Sequence, residues 1–153
     1  MYEHSTKSNE LSTRLLEFMD EHIYPNEENY AHQLKTAANR FAPLPLMDEL
    51  KLKAKAVGLW NLFVPEEHAQ YCDHGGLSFF DYAPLAEIMG RVIWCPEVFN
   101  CNAPDTGNME VFMNYATETQ QREWHEPLLA GEIRSGYAMT EPQVAASDAT
   151  KGA

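Results

Sequence analysis

The run Ile133-Arg134-Ser135-Gly136-Tyr137-Ala138-Met139-Thr140 is the one β-type segment in a chain whose other apolar residues recur at helical spacing. A lone strand cannot satisfy its own backbone donors and acceptors, so its pairing partners are expected from residues past Ala153 or from another chain. Glu141-Pro142 breaks the run, and the small-residue stretch Ala145-Ala146-Ser147-Asp148-Ala149-Thr150 follows it. The expected fold is mainly α: residues 1–131 form an N-terminal helical bundle, and residues 132–153 begin a β domain that is cut short.

The helices are legible from their punctuation. Leu11, Leu15, Leu16, Phe18, Met19 and Ile23 make an amphipathic stripe, with Glu17, Asp20 and Glu21 opposite. Pro25 either kinks this helix or starts a second segment through Tyr30 and Leu34, which ends at Pro43-Leu44-Pro45. Pro45 suits the first position of the next helix. Asp48 and Glu49 lie early in it, Lys51, Lys53 and Lys55 late, Gly58 lies past its end, and its inward stripe is Leu46, Leu50, Ala54 and Val57. Leu59-Trp60-Asn61-Leu62-Phe63-Val64-Pro65 reads as an extended, buried connector. Ser78 with Asp81 is a capping-box pattern opening a helix that carries Leu85, Ile88, Met89 and Val92; Pro84 bends it or moves its start to Asp81. Trp94 to Asn108 is broken helix or loop, and Thr106 is placed to cap a short helix through Tyr115. Thr117 with Gln120 is a second capping-box pattern, whose helix runs past Trp124 to Leu129 and stops at Gly131.

Charge excludes several partners. Eleven Lys plus Arg against 23 Asp plus Glu give a net −12, which repels polyphosphate backbones and anionic membrane surfaces, so nucleic acid is not an expected partner. No run approaches the roughly 18 apolar residues that span a bilayer, and Met1 to Lys7 resembles neither a secretory signal nor a transit peptide. The mature chain is expected to start at Met1 and to be cytoplasmic in a bacterium, or mitochondrial or peroxisomal in a eukaryote. Cys72, Cys95 and Cys101 lack C-x-x-C spacing, which fits a reducing compartment and buried or inert thiols. Cys72-Asp73-His74 comes nearest to a metal clip, and no metal site is expected.

Catalytic motifs for acyl or phosphoryl transfer are missing from the sequence: it has no G-x-S-x-G, no Walker lysine loop and no G-x-G-x-x-G. Glu27-Glu28 and Glu66-Glu67 read as solvated surface, and His68, His74 and His125 as ordinary surface histidines. What remains is the strand terminus. Pro142 forces the chain out of a sheet, freeing backbone groups around Thr140 to meet the edge of a planar heterocycle such as a flavin. Donors aimed there stabilise the negative charge that builds up on hydride acceptance, and the Thr140 hydroxyl adds another. The small-residue turn holding Ser147 can approach a phosphate or thioester closely.

Tyr137-Ala138-Met139-Thr140-Glu141-Pro142 with Ser147-Asp148 resembles the flavin-segment signature of the acyl-CoA dehydrogenases. Gly58-Leu59 through Pro65-Glu66-Glu67 resembles the family's connector, and Thr117 through Trp124 to Pro127-Leu128-Leu129-Ala130-Gly131-Glu132 its last N-terminal helix. Asp81 to Glu87 with Val98 to Glu110 is similar to the long-chain subgroup that is fused to a kinase-like domain in some animals and stands alone in bacteria. In the turn Gln143-Val144-Ala145-Ala146 there is one residue more than in the common Gly-x-Gly-Ser version, with Ala146 where relatives often carry Ser.

The resemblance implies a helical domain, a central β domain opened by residues 132–153, and a C-terminal helical bundle, with FAD between the last two. It implies oxidation of an acyl-CoA to trans-2-enoyl-CoA, with a catalytic Glu in the C-terminal bundle and hydride transfer to FAD. An electron-transfer flavoprotein or similar acceptor and a homo-oligomeric full-length enzyme are implied as well. Ala138, Met139 and Thr140 are assigned to the flavin edge and Ser147 to FAD or acyl-CoA; no acidic residue here inherits the base, so the fragment alone is expected to be inactive. Phe99, Cys101, Pro104 and Met109 fall where the family lines its acyl tunnel, and Asn100, Asn102, Asp105 and Asn108 would suit a polar acyl substituent or ordered water there. The competing expectation is a non-catalytic helical module for protein interaction or acyl binding.

Overall fold

The computed structural model describes residues 3–39, 41–139 and 142. Helix α1 (Thr6–Phe18) opens at Ser5, whose hydroxyl accepts from the Ser8 N–H at 3.1 Å. Leu11, Leu15 and Phe18 face inward. A π turn (Met19–Ile23) and a 3₁₀ turn (Tyr24–Asn26) then carry the chain into α2 (Glu27–Thr36). Pro25 accounts for both turns, because it has no N–H and its ring would strike the carbonyl four residues back in an α register. The wider turn sends the Tyr24 N–H to Met19 O, and Asn26 Nδ2 donates to His22 O at 2.9 Å. Tyr30 of α2 stacks on Trp94 at 4.6 Å.

Helix α3 (Pro45–Ala56) starts on its proline, with Asp48 in the first turn and Lys53 and Lys55 in the last. Leu46, Met47, Leu50 and Ala54 are buried. Val57 does not join them: it is 44% exposed, because the chain has left helical geometry there (φ −101°, ψ 12°). The connector Leu59–Pro65 is buried, but its path turns rather than extends. Asn61 is left-handed (φ 55°), Val64 N donates to Asn61 O at 3.1 Å, and Pro65 forms a parallel bridge with Leu77. A 3₁₀ turn follows at Glu66–Tyr71.

Helix α4 (Phe79–Met89) keeps Pro84 inside it, so its start is not displaced to Asp81. Ser78 Oγ accepts from Asp81 N at 3.1 Å, but the Asp81 carboxylate does not complete the capping box. It accepts from Ser5 N at 2.8 Å instead, while Ser8 Oγ donates to Asp81 O at 2.7 Å, stitching the starts of α1 and α4 together. The Ser5 N–H, helped by the Ser5 and Ser78 hydroxyls, holds the Asp81 carboxyl below its ordinary range.

The short α5 (Cys95–Val98) leads to α6 (Asp105–Tyr115), where the residue at the cap position is Pro104. Thr106 already lies inside the helix, which corrects its expected capping role. Thr117 and Gln120 do form a reciprocal capping box opening α7 (Glu118–Gln120). A second π turn (Gln121–His125) again precedes a proline, Pro127 in α8 (Glu126–Leu129). One core joins α1, α3, α4 and α5, with Phe18 edge-on to Phe99 at 5.2 Å; a second gathers Phe63, Val64, Met109, Met113 and Leu128. From Arg134 to Met139 the chain has no regular structure. A strand needs an adjacent edge, and among the described residues none borders this segment.

Candidate functional site

The outgoing segment that carries the flavin-type motif leaves the bundle beside α8, and three sets of contacts fix its start. Asn100, left-handed (φ 56°) and buried, donates through Nδ2 to Asn61 Oδ1 at 2.8 Å and to Leu128 O at 3.1 Å. Asn61 Nδ2 and Trp60 Nε1 both donate to Leu129 O, at 3.1 and 2.8 Å. These bonds satisfy carbonyls that the end of α8 leaves without helical partners. Gly131 (φ 70°) then passes so close to the Trp60 ring that a Cβ there would lie 2.7 Å from Cζ2.

Beyond Gly131, charges take over. Asp105 is fully buried at the start of α6, and its Oδ2 accepts from Arg134 Nε at 2.6 Å while Oδ1 accepts from Ser135 N at 2.8 Å. Asn108 Nδ2 donates to Ser135 Oγ at 2.8 Å. Arg134 also pairs with Glu97, which accepts from Lys51 Nζ at 2.8 Å, so α3, α5 and α6 all converge on Arg134 and Ser135.

The polar residues expected along an acyl tunnel are thus mostly engaged within the protein. Asn100, Asp105 and Asn108 hold backbone and side chains of α8 and the outgoing segment, and Phe99 and Met109 are core residues. Cys101 and Asn102 remain together on the wall of an open cleft of about 510 Å³, with Tyr30, Trp94, Pro96 and Ala103; Pro104 does not line it. Asn102 Oδ1 is shielded and has no partner among the described residues.

Of the residues assigned to the flavin edge, Ala138 is exposed and Met139 is 50% exposed, next to Tyr137 at 74%. Thr140 and Ser147 lie outside the described residues.

Burial also sets the chemistry of the thiols and imidazoles. It pushes the Cys95 and Cys101 thiols up to about 12 and raises that of Cys72, which keeps all three protonated near neutrality. His74 and His125 are both driven below the ordinary histidine range, first by burial and then, for His125, by the charge of His68. His125 is therefore not a surface histidine. It is fully buried, edge-on to Tyr71 at 4.8 Å and over Phe112 at 5.9 Å, with neither ring nitrogen hydrogen-bonded. His74 is half-buried and bonds Asn61 O at 3.1 Å. Among the described residues, no three His, Cys, Asp or Glu side chains are grouped to hold a metal ion, and no helix is long and apolar enough to cross a membrane.

Comparison with known proteins gives this geometry a family. The profile of the acyl-CoA dehydrogenase N-terminal domain matches residues 5–132. Mouse acyl-CoA dehydrogenase family member 10 is 51% identical over 142 residues, which is 92% of this chain and 13% of that protein. The Mycobacterium tuberculosis protein FadE2, named as an acyl-CoA dehydrogenase, is 47% identical over 148 residues, covering 95% of this chain and 34% of that one. A solved structure from Mycobacterium abscessus, described as an acyl-CoA dehydrogenase, superposes with a TM-score of 0.86 at 46% identity, covering 99% of this chain and 38% of the other. The chain therefore spans between an eighth and two fifths of the length of these relatives. With the family profile covering residues 5–132 and the solved structure superposing over nearly the whole chain, this chain belongs to the acyl-CoA dehydrogenase family and has the fold of its N-terminal helical domain.

Proposed function

We propose that this chain is the N-terminal portion of a flavin-dependent acyl-CoA dehydrogenase, with residues 132–153 opening the central β domain. The observation that carries the reading is a contrast within one segment. Arg134 and Ser135 are gripped by buried carboxylate chemistry, whereas the motif residues Tyr137, Ala138 and Met139 stand exposed a few positions later. A stretch that is fixed at its base and open along its length fits the edge of a planar ring, so the residues present are compatible with FAD.

When bound, FAD accepts the hydride lost from the substrate's β carbon as the α proton is removed. This chain contributes to that chemistry without supplying the base. In this reading Ala138, Met139 and Thr140 would offer main-chain and hydroxyl groups to the flavin and Ser147 would contact FAD or the acyl-CoA, while the helical bundle holds Arg134 and Ser135 at the base of the segment. Cys101 and Asn102 line an open cleft that this reading assigns to a long acyl chain. An electron-transfer flavoprotein or similar acceptor and assembly into a homo-oligomer complete the proposal for the whole enzyme.

The test uses the gene product that contains this chain. It is expected to retain visible flavin absorbance through gel filtration and to lose it on addition of a long-chain acyl-CoA, while the 153-residue chain incubated with FAD retains none. A gene product that binds acyl-CoA but neither retains nor bleaches flavin would refute the dehydrogenase reading and favour a binding module.

A further inference from the structure

We infer that Asp105 is a positioning residue for the flavin-facing segment, fixing where Tyr137, Ala138 and Met139 leave the bundle; the inference rests on the flavin reading proposed above. Three features single it out. Its carboxylate has no exposed surface, which is rare for an aspartate unless the charge is fully partnered. Both oxygens are used: one takes the Arg134 guanidinium, the other the Ser135 N–H and hydroxyl. The third feature is its place in the first turn of α6, where the exposed N–H groups and the helix dipole favour a negative charge, so a rigid element holds the anion.

The direction of these bonds matters more than their number. A buried carboxylate that takes a main-chain N–H fixes the position and orientation of that peptide unit, which an ion pair between side chains would not do. Ser135 is the peptide so fixed, and Asn108 on the next turn of α6 holds its hydroxyl from the other side. Downstream, Gly136 has nothing within 4 Å of where a Cβ would lie, and Tyr137 is 74% exposed. Ser135 is therefore the last firmly held residue before the motif, five positions ahead of Thr140. Arg134 adds a counterweight by pairing Asp105 on one side and Glu97 on the other, and Glu97 also pairs Lys51, so two acids, Asp105 and Glu97, and two bases, Arg134 and Lys51, sit in one neutral cluster. Neutrality lets the cluster persist at the domain margin of a chain of net charge −12.

Amide hydrogen exchange on the 153-residue chain tests the anchor, and flavin binding by the complete gene product tests its purpose. Asp105→Asn removes the charge and one acceptor, and is expected to speed exchange of the Ser135 amide, which Asp105 accepts, by about tenfold or more, as loss of a charged hydrogen bond predicts. Exchange in α1 and α4 should stay unchanged. In the complete protein the same change should shift the flavin absorbance band and weaken FAD retention by a similar factor, with Asp105→Glu restoring part of both. Should Asp105→Asn fail to fold, Arg134→Gln replaces it, since that side chain is 41% exposed and its loss leaves the core intact; the same changes in smaller measure are expected. Unaltered exchange of the Ser135 amide, or equal acceleration in α1 and α4, would overturn the anchor. Faster exchange with an unmoved flavin band and unchanged FAD retention would overturn the positioning role. If the wild-type gene product holds no FAD, the flavin reading fails and the positioning role falls with it, whereas the exchange data still report separately whether Asp105 fixes the segment.

Discussion

His125→Leu should make this domain more stable, and it should do so most at mildly acidic pH. The buried ring leaves a donor and an acceptor without partners, and an unsatisfied buried polar group costs about 1–3 kcal/mol. Leucine has nearly the same volume and suits a setting of Tyr71 and Phe112, which themselves pack on the core of Met109, Met113 and Leu128. The substitution forfeits ring contacts with Tyr71 and Phe112, worth about 0.5–1.5 kcal/mol for an aromatic pair. The net expectation at pH 7 is a gain of about 1–2 kcal/mol, or roughly 2–8 °C in Tm for a chain of this size. The pH dependence follows from the same burial. Because the folded-state value of His125 is lowered, the native protein resists the proton that the unfolded chain accepts below about pH 6.5. Stability is therefore complete above that pH and falls on acidification, by up to about 1.4 kcal/mol per pH unit for each such histidine, until the folded-state value is reached. His74 is shifted in the same direction and adds its own loss, so the variant should keep a shallower slope, not a flat one. Urea denaturation at about pH 7.5, 6.5 and 5.5, roughly one unit apart across the histidine range, measures both effects. A His125→Leu protein that is less stable than wild type at pH 7, or that loses stability with acid as steeply, would refute the account of an orphaned buried imidazole.

Two further substitutions probe the backbone. Gly76→Ala is expected to destabilise by about 2–4 kcal/mol in urea titration, from a left-handed backbone and a close contact together: φ is +74° and a Cβ would sit 2.6 Å from Glu66 Cα. Asn100→Leu should cost a comparable amount, about 2–4 kcal/mol, because Leu128 O and Asn61 Oδ1 lose their shared donor and a branched side chain meets φ 56°. Asn100→Gly, which keeps the backbone but not the amide, should recover only the conformational part.

What the sequence made readable was local. Pro45 at a helix start, Gly58 beyond its end and the Thr117–Gln120 box each depend on residues within one turn, and each stands as read. Where a side chain had a choice between a local partner and a distant one, pattern failed. Asp81 prefers Ser5 N, 76 positions away, over closing its own box, because that bond joins two helix starts at once. His125 looked like a helix-end surface residue, and only the arrival of Tyr71 and Phe112 from other elements buries it. Prolines within helical patterns could have been read more closely: Pro25 and Pro127 each follow a π turn, the widening that accommodates a missing N–H, whereas Pro84 sits in the second turn of α4 without one. Asn61 and Asn100 carried a usable signal too, since asparagine tolerates the left-handed region and both follow an apolar aromatic residue in a buried stretch.

The candidate site was legible by motif more than by physics, and the structure explains why. A site contained in one domain leaves local traces, such as clustered ligands or a nucleophile beside its base. Here Asn100, Asp105 and Asn108, which looked available for a ligand, are committed to protein partners, and the residues of the flavin-type motif have few contacts of their own. The two facts belong together. An exposed main-chain edge is useful to a bound ring only if its position is fixed beforehand, since ordering it at the moment of binding costs about 1–2 kcal/mol per residue. On the proposed flavin reading, Asn100 and Asp105 supply that fixation from inside the bundle, so inward bonds would serve a bound ring as a direct contact does, and the helical domain would contribute by holding the start of the segment in place.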